Sequence, residues 1–208
     1  SNLNGAAPTI TNGILGGWAV VNGVEFASWN ATQGVGALNA TGYAGYNGTT
    51  MPAASQPTQN IRVTAAAAVP TVAGYSLNTL NIVGDANVTF VAATNTLNLV
   101  AGGLLKSGNF ANTIGASADN GRLTAGGTNT GVQELFILNN QNTLTVNSRI
   151  IDNGSGGLTR LVIAGAGTVA LTAPNTYTGD TVVNSALSLN GGAGVVTIPN
   201  PAAVGGNT

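Results

Sequence analysis

Residues Gly157–Gly191 read GLTRLVIAGAGTVALTAPNTYTGDTVVNSALSLNG, and the fold turns on this stretch. It carries four short apolar alternations: Leu161/Ile163, Val169/Leu171, Val182 with Val183, and Leu187/Leu189. Each is closed by Gly, Asn or Pro, at Gly165-Ala166-Gly167, Pro174-Asn175, Gly179-Asp180 and Asn190-Gly191. Alternation every second residue is the period of a strand, and Gly and Asn tolerate the positive φ that corners between strands require. No helix of ordinary length fits between these breakers.

The same grammar runs upstream as far as Tyr75. Leu77–Ile82 breaks at Gly84-Asp85, Val88–Val91 at Ala93-Thr94-Asn95, and Leu97–Val100 at Gly102-Gly103. Leu135–Leu138 breaks at Asn139-Asn140, and Leu144–Val146 at Asn147-Ser148. A unit Asn-Thr-Leu-x-(Leu/Val/Ile) recurs at Asn78, Asn95 and Asn142, unevenly spaced. Strands this short cannot hold a large open sheet. They suffice when each pairs with its equivalent one coil above and one below, about 4.8 Å away. The expected fold is therefore all-β: a parallel β-solenoid (β-helix) with coils of roughly twenty residues, about six of them in 75–198. Leu, Ile and Val would point inward, Thr, Asn and Ser outward, so that Leu171 faces the core and Thr172 the solvent. A β-sandwich, the runner-up, would need longer strands and more hairpins.

Before the coils, residues 1–13 read as an extended arm and 14–74 as a hairpin and loop-rich cap region. Asn22-Gly23 lies between Trp18–Val21 and Val24–Ala27, a strong hairpin signal because both turn positions take positive φ. Trp18 and Trp29 beside it allow two readings, an aromatic platform for sugar rings or a plug over the open end of the coils, and the plug is favoured because end strands need covering. Ala65–Ala68 is read as a strand rather than a helix, given Pro70 and the β-branched flanks. Residues 199–208 form a tail.

Composition narrows the function. The 208 residues are 43% hydrophobic and only 5% charged, with a net charge of −1. Few charges make self-association easier. The five basic residues, Arg62, Lys106, Arg122, Arg149 and Arg160, are scattered, so nucleic acid is not an expected partner. No apolar run reaches about 20 residues, so no helical membrane insertion is expected of this segment, and Ser1 begins no signal peptide. With neither Cys nor His, disulfides, thiolate or imidazole metal sites and a Ser-His-Asp triad are excluded.

Among the six acids, Glu134 and Asp152, with Arg149 or Arg160 nearby, make the best case for a polysaccharide lyase or hydrolase. An ordinary ion pair between coils explains them better. Asp152–Gly156 has the start of a Ca²⁺ loop without its later Glu. Lys106, the single lysine, could form a Lys–Asn cross-link at one place at most. The Asn-x-Thr triplets at Asn30, Asn39, Asn47 and Asn87 and Asn153-Gly154-Ser155 receive no role. No catalytic residue, cofactor or metal is expected.

Three runs, Gly165–Thr172, Asn175–Asn184 and Ala186–Leu189, closely resemble the autotransporter-associated β-strand repeat of bacterial surface proteins. Gly16-Gly17-Trp18-Ala19 is similar to a stretch that often precedes such repeats, and Ile198-Pro199-Asn200 to one that leads into a further repeat. The resemblance implies a parallel solenoid of passenger type, exposed outside the cell and without enzyme activity; no membrane barrel follows within this sequence. The leading expectation is a structural surface or fibre protein whose partners are copies of itself, joined head to tail through its uncharged ends. The alternative is an adhesin that grips surface glycans.

Overall fold

The computed structural model describes residues 6–184 and 196–197, and every regular element among them is a strand. Strands β1 (Val20–Val21), β2 (Glu25–Asn30) and β3 (Gly34–Ala37) form an antiparallel sheet. There follow β4 (Gln56–Val63), β5 (Ala67–Val69), β6 (Ser76–Ile82), β7 (Val88–Phe90), β8 (Thr96–Lys106), β9 (Asn112–Ile114) and β10 (Arg122–Ala125). Next are β11 (Gly131–Asn139), β12 (Thr143–Val146), β13 (Arg149–Ile150), β14 (Gly157–Ala164), β15 (Thr168–Leu171), β16 (Thr181–Val183) and β17 (Val196–Thr197). Every strand pairing from β4 onward is parallel.

These strands stack on three faces. One is the six-stranded sheet β5-β7-β9-β12-β15-β17, in chain order. The second runs β4-β6-β8-β11-β14-β16, and the third branches from the first half of β8 through β10 to β13. Register brings like side chains to one level. Ile61, Leu80, Leu104, Ile137, Ile163 and Val183 are successive partners, and the first five are almost wholly buried. On the opposite sheet Val88, Ile114, Val146 and Leu171 do the same. Both rows meet in one apolar cluster with Leu97, Leu123 and Ile150. Parallel strands stacked in this way are consistent with a β-helix.

The expected period is not kept. Steps along the Ile61–Val183 row are 19, 24, 33, 26 and 20 residues, and stacking begins at β4, ahead of Tyr75. Parallel stacking fixes only the strands, so turns and bulges absorb the difference. Between paired positions β6 has Asn78 alone, where β8 has Val100-Ala101-Gly102. A bulge of this kind bends a strand and redirects its side chains. The three Asn-Thr-Leu units also fall on different faces: in β6, in the first half of β8, and in β12. They mark a local strand pattern and not a coil phase.

The hairpin forms as expected, with Val24 N–H donating to the Val21 carbonyl and φ of 54° at Asn22 and 69° at Gly23. A second Asn-Gly turn closes Thr11 onto Ile14 inside the stretch read as an extended arm. The plug, however, is not where the sequence suggests. Phe26, Ile14 and Leu38 pack on Leu105 and Leu138, side chains on the outer surface of β8 and β11, with Ala101, Phe136 and Ala164 at the margin. The hairpin thus lies along the flank of the stacked strands. Outward positions there are apolar, not Thr or Asn, because they are covered. The free edge of β4 is paired instead by Asn47 and Gly48, through Asn47 N–H to the Asn60 carbonyl and Arg62 N–H to the Gly48 carbonyl.

Polar bonds tie the hairpin down. Asn81 Nδ2 donates to the Val24 carbonyl and to the Tyr46 hydroxyl, and Arg62 pairs with Glu25 at 3.5 Å. Leu187/Leu189 and the tail 199–208 lie outside the described residues.

Candidate functional site

Gly17 brings the hairpin onto the β8 bulge. A Cβ on Gly17 would stand 2.0 Å from the Ala101 carbonyl oxygen, so only glycine permits this backbone contact. A Cβ on Gly16 would fall 2.5 Å from Trp18 Nε1, which leaves the indole its place beside the chain. Beside hairpin and bulge opens a cleft of about 540 Å³, lined by Trp18 from the hairpin and by Val100, Ala101, Gln133, Glu134 and Arg160 from β8, β11 and β14. Trp18 is 60% exposed. Trp29, in β2 of the hairpin sheet, is half-buried with its Nε1 enclosed.

The carboxylates of the hydrolase reading fall into separate networks. Glu134 pairs with Arg160 at 3.6 Å, and Arg160 reaches Asp180 at 3.1 Å, one strand further on. This is the ion pair between coils that the sequence suggests. Asp152 instead accepts hydrogen bonds from the Thr159 and Thr178 amides and the Thr178 hydroxyl. Arg149 pairs with Asp119, which also holds Arg122. The arrangement joins successive strands, and Glu134 and Asp152 share no partner among the described residues. Asp152–Gly156 forms a turn in which Asn153 Oδ1 accepts from the Ser155 and Gly157 amides.

Sequence reasoning had Trp18, Glu134 and Arg160 but missed Val100, Ala101 and Gln133. The available signal was the unbroken apolar run Leu135–Leu138 and the pair Leu104-Leu105, since a strand covered on both faces loses its alternation.

Lys106 is fully buried, in register with Ile82 and Asn139, and its Nζ donates to the Gln141 carbonyl. Burial pushes this ammonium down from 10.5 to about 8. Burial likewise raises the phenols of Tyr46 and Tyr75 above their usual 10.0. Between pH 8 and 10.5 the unfolded chain therefore binds more protons than the folded one at Lys106, and stability rises with pH. Above pH 10 unfolded tyrosines ionise first, and stability falls. Unfolding free energies from urea titrations at a series of pH values should climb from pH 8, by up to roughly 3 kcal/mol from the lysine, and turn over near pH 10. Lys106→Met should abolish the rising limb and keep the fall.

The chain is 31% identical over 187 residues to the adhesin BmaC autotransporter of Brucella suis biovar 1 (strain 1330), a match spanning 86% of this chain and 5% of that protein. The chain thus corresponds to a small part of the length of that relative. No family model matches, and no solved structure does.

Proposed function

We propose that this chain is a non-catalytic, adhesin-like segment of the bacterial cell surface, a parallel β-solenoid of autotransporter passenger type. The observation that carries this reading is the stack of parallel strands with a hairpin fixed on its flank, in a chain similar to an adhesin autotransporter. A stacked scaffold projects its side surface over a long distance from one anchored end, and repeat folds use such extended surfaces for binding. Few charges, spread as pairs between coils, leave a surface of Thr, Asn and backbone.

A filament role, with the chain joined head to tail to its own copies, draws support from the 5% charged composition. Sedimentation across a hundredfold concentration range separates the two: a filament subunit grows with concentration, an adhesive segment stays one size.

The adhesive reading is tested by displaying residues 1–208 on a non-adherent bacterial host and counting cells retained on epithelial monolayers. Retention several-fold above a host displaying the unfolded Leu171→Asp variant is expected; equal retention overturns it. Polysaccharide turnover abolished by Glu134→Ala would overturn the non-catalytic part.

A further inference from the structure

We propose that the cleft beside Trp18 is a binding site for a neutral saccharide, with the indole as the stacking surface for a sugar ring. This deepens the adhesive reading and rests on it for biological context, but not for its test. An indole 60% exposed on a well-packed flank is unusual, because a large aromatic gains by burial and Trp29 is drawn inward. Its position is not slack: Gly17 lies against the β8 backbone, and Gly16 is in contact range of the ring. The face of the ring is the apolar, electron-rich surface that the C–H face of a pyranose covers.

The β11 and β14 wall supplies hydroxyl partners. Glu134 is exposed and only loosely paired, at 3.6 Å, so its carboxylate can accept from sugar hydroxyls, and Arg160 donates from the same wall. Gln133 spends its amide N–H on the Thr130 carbonyl and keeps its oxygen as an acceptor. An apolar ring beside a few convergent polar groups is the general composition of a small-ligand cleft.

Charge selects among saccharides. The charges that line the cleft, Glu134 and Arg160, cancel, Asp180 outside the lining adds a negative charge on Arg160, and no lysine lines the cleft. Sialylated, uronic or sulfated sugars would find no unpaired positive charge there to offset the desolvation of their own, a cost that neutral hexoses and N-acetylhexosamines do not carry.

The test is a glycan array of neutral oligosaccharides and their sialylated or uronic counterparts, followed by tryptophan-fluorescence titration with the neutral glycans retained. At least one neutral glycan should bind and shift the emission. The shift should survive in Trp29→Phe and vanish in Trp18→Phe. Trp18→Ala should weaken binding at least tenfold with an unchanged urea midpoint, and Glu134→Gln several-fold. Acidic counterparts should bind at least tenfold more weakly. No retained glycan, binding indifferent to Trp18→Ala, or preference for acidic glycans overturns the proposal. If displayed cells adhere equally with and without Trp18, adhesion stands and the saccharide site does not explain it. If the glycan binds in solution while displayed cells fail to adhere, the site stands and the adhesive role fails.

Discussion

Leu171→Asp is expected to lower stability by on the order of 5 kcal/mol, enough to unfold much of the chain at room temperature. Leu171 is 1% exposed and lies in a row with Ile114 and Val146, so its side chain touches the coil before it and the interior. Truncating such a leucine alone costs about 2–5 kcal/mol, and a carboxylate in its place has no donor to meet it. The proper control is not Thr172, which the sequence assigns to solvent. Thr172 is half-buried, and its hydroxyl donates to Asn147 Oδ1 at 2.6 Å, so an aspartate there would oppose another oxygen. Thr176 is exposed, and Thr176→Asp should change the unfolding free energy from urea titration by less than about 0.5 kcal/mol. Similar losses at positions 171 and 176 would show the inward register to be wrong.

Gly102→Ala should cost on the order of 4 kcal/mol, for two separable reasons. Its φ of +74° lies in the left-handed region, which strains any residue with a Cβ. The added carbon would also stand 1.9 Å from the Glu134 carbonyl oxygen, which is backbone and cannot rotate away. Gly131 isolates the first effect: its φ is +75°, but nothing lies within 4 Å of a Cβ there. Gly131→Ala should therefore cost only about 1 kcal/mol. Equal losses in urea unfolding would mean that the β8 bulge is not pressed against β11. Because Glu134 carries the carbonyl in question, Gly102→Ala should also weaken any ligand held in the cleft.

What could be read from the sequence was local. Leu77–Ile82 or Leu144–Val146 announces a strand, and Asn22-Gly23 a turn, because alternation and positive φ are properties of a few neighbouring residues. The parallel stacking also followed, but strand length did not: β4, β6, β8, β11 and β14 run to 7–11 residues, and β8 passes through the Gly102-Gly103 that reads as a break. Coil length did not, because a bulge such as Val100-Ala101-Gly102 changes the count without disturbing the pairing on either side. Nor did the place of the hairpin. Trp18 and Trp29 drew attention as a plug, while the real docking surface was written in Leu105 and Leu138, which break the expected polar exterior. Of the candidate site, Trp18 and the Glu134–Arg160 pair were legible as residue types. Their meeting in one cleft depends on Gly17 lying against Ala101, a contact between segments far apart in the chain.

The most direct test of the stacked parallel strands uses the absence of native cysteine, which leaves engineered thiols without competitors. Thr145 and Ala170 are register partners on adjacent parallel strands, where Cα atoms lie about 4.8 Å apart, within disulfide range. Thr143 pairs with Thr168, so Thr143 and Ala170 are two residues out of register, beyond about 7 Å. Under mild oxidation the Thr145→Cys/Ala170→Cys chain should close an intramolecular disulfide, and the Thr143→Cys/Ala170→Cys chain should keep both thiols. Closure of the second pair alone, or of neither, would contradict the parallel register on which the whole structure rests.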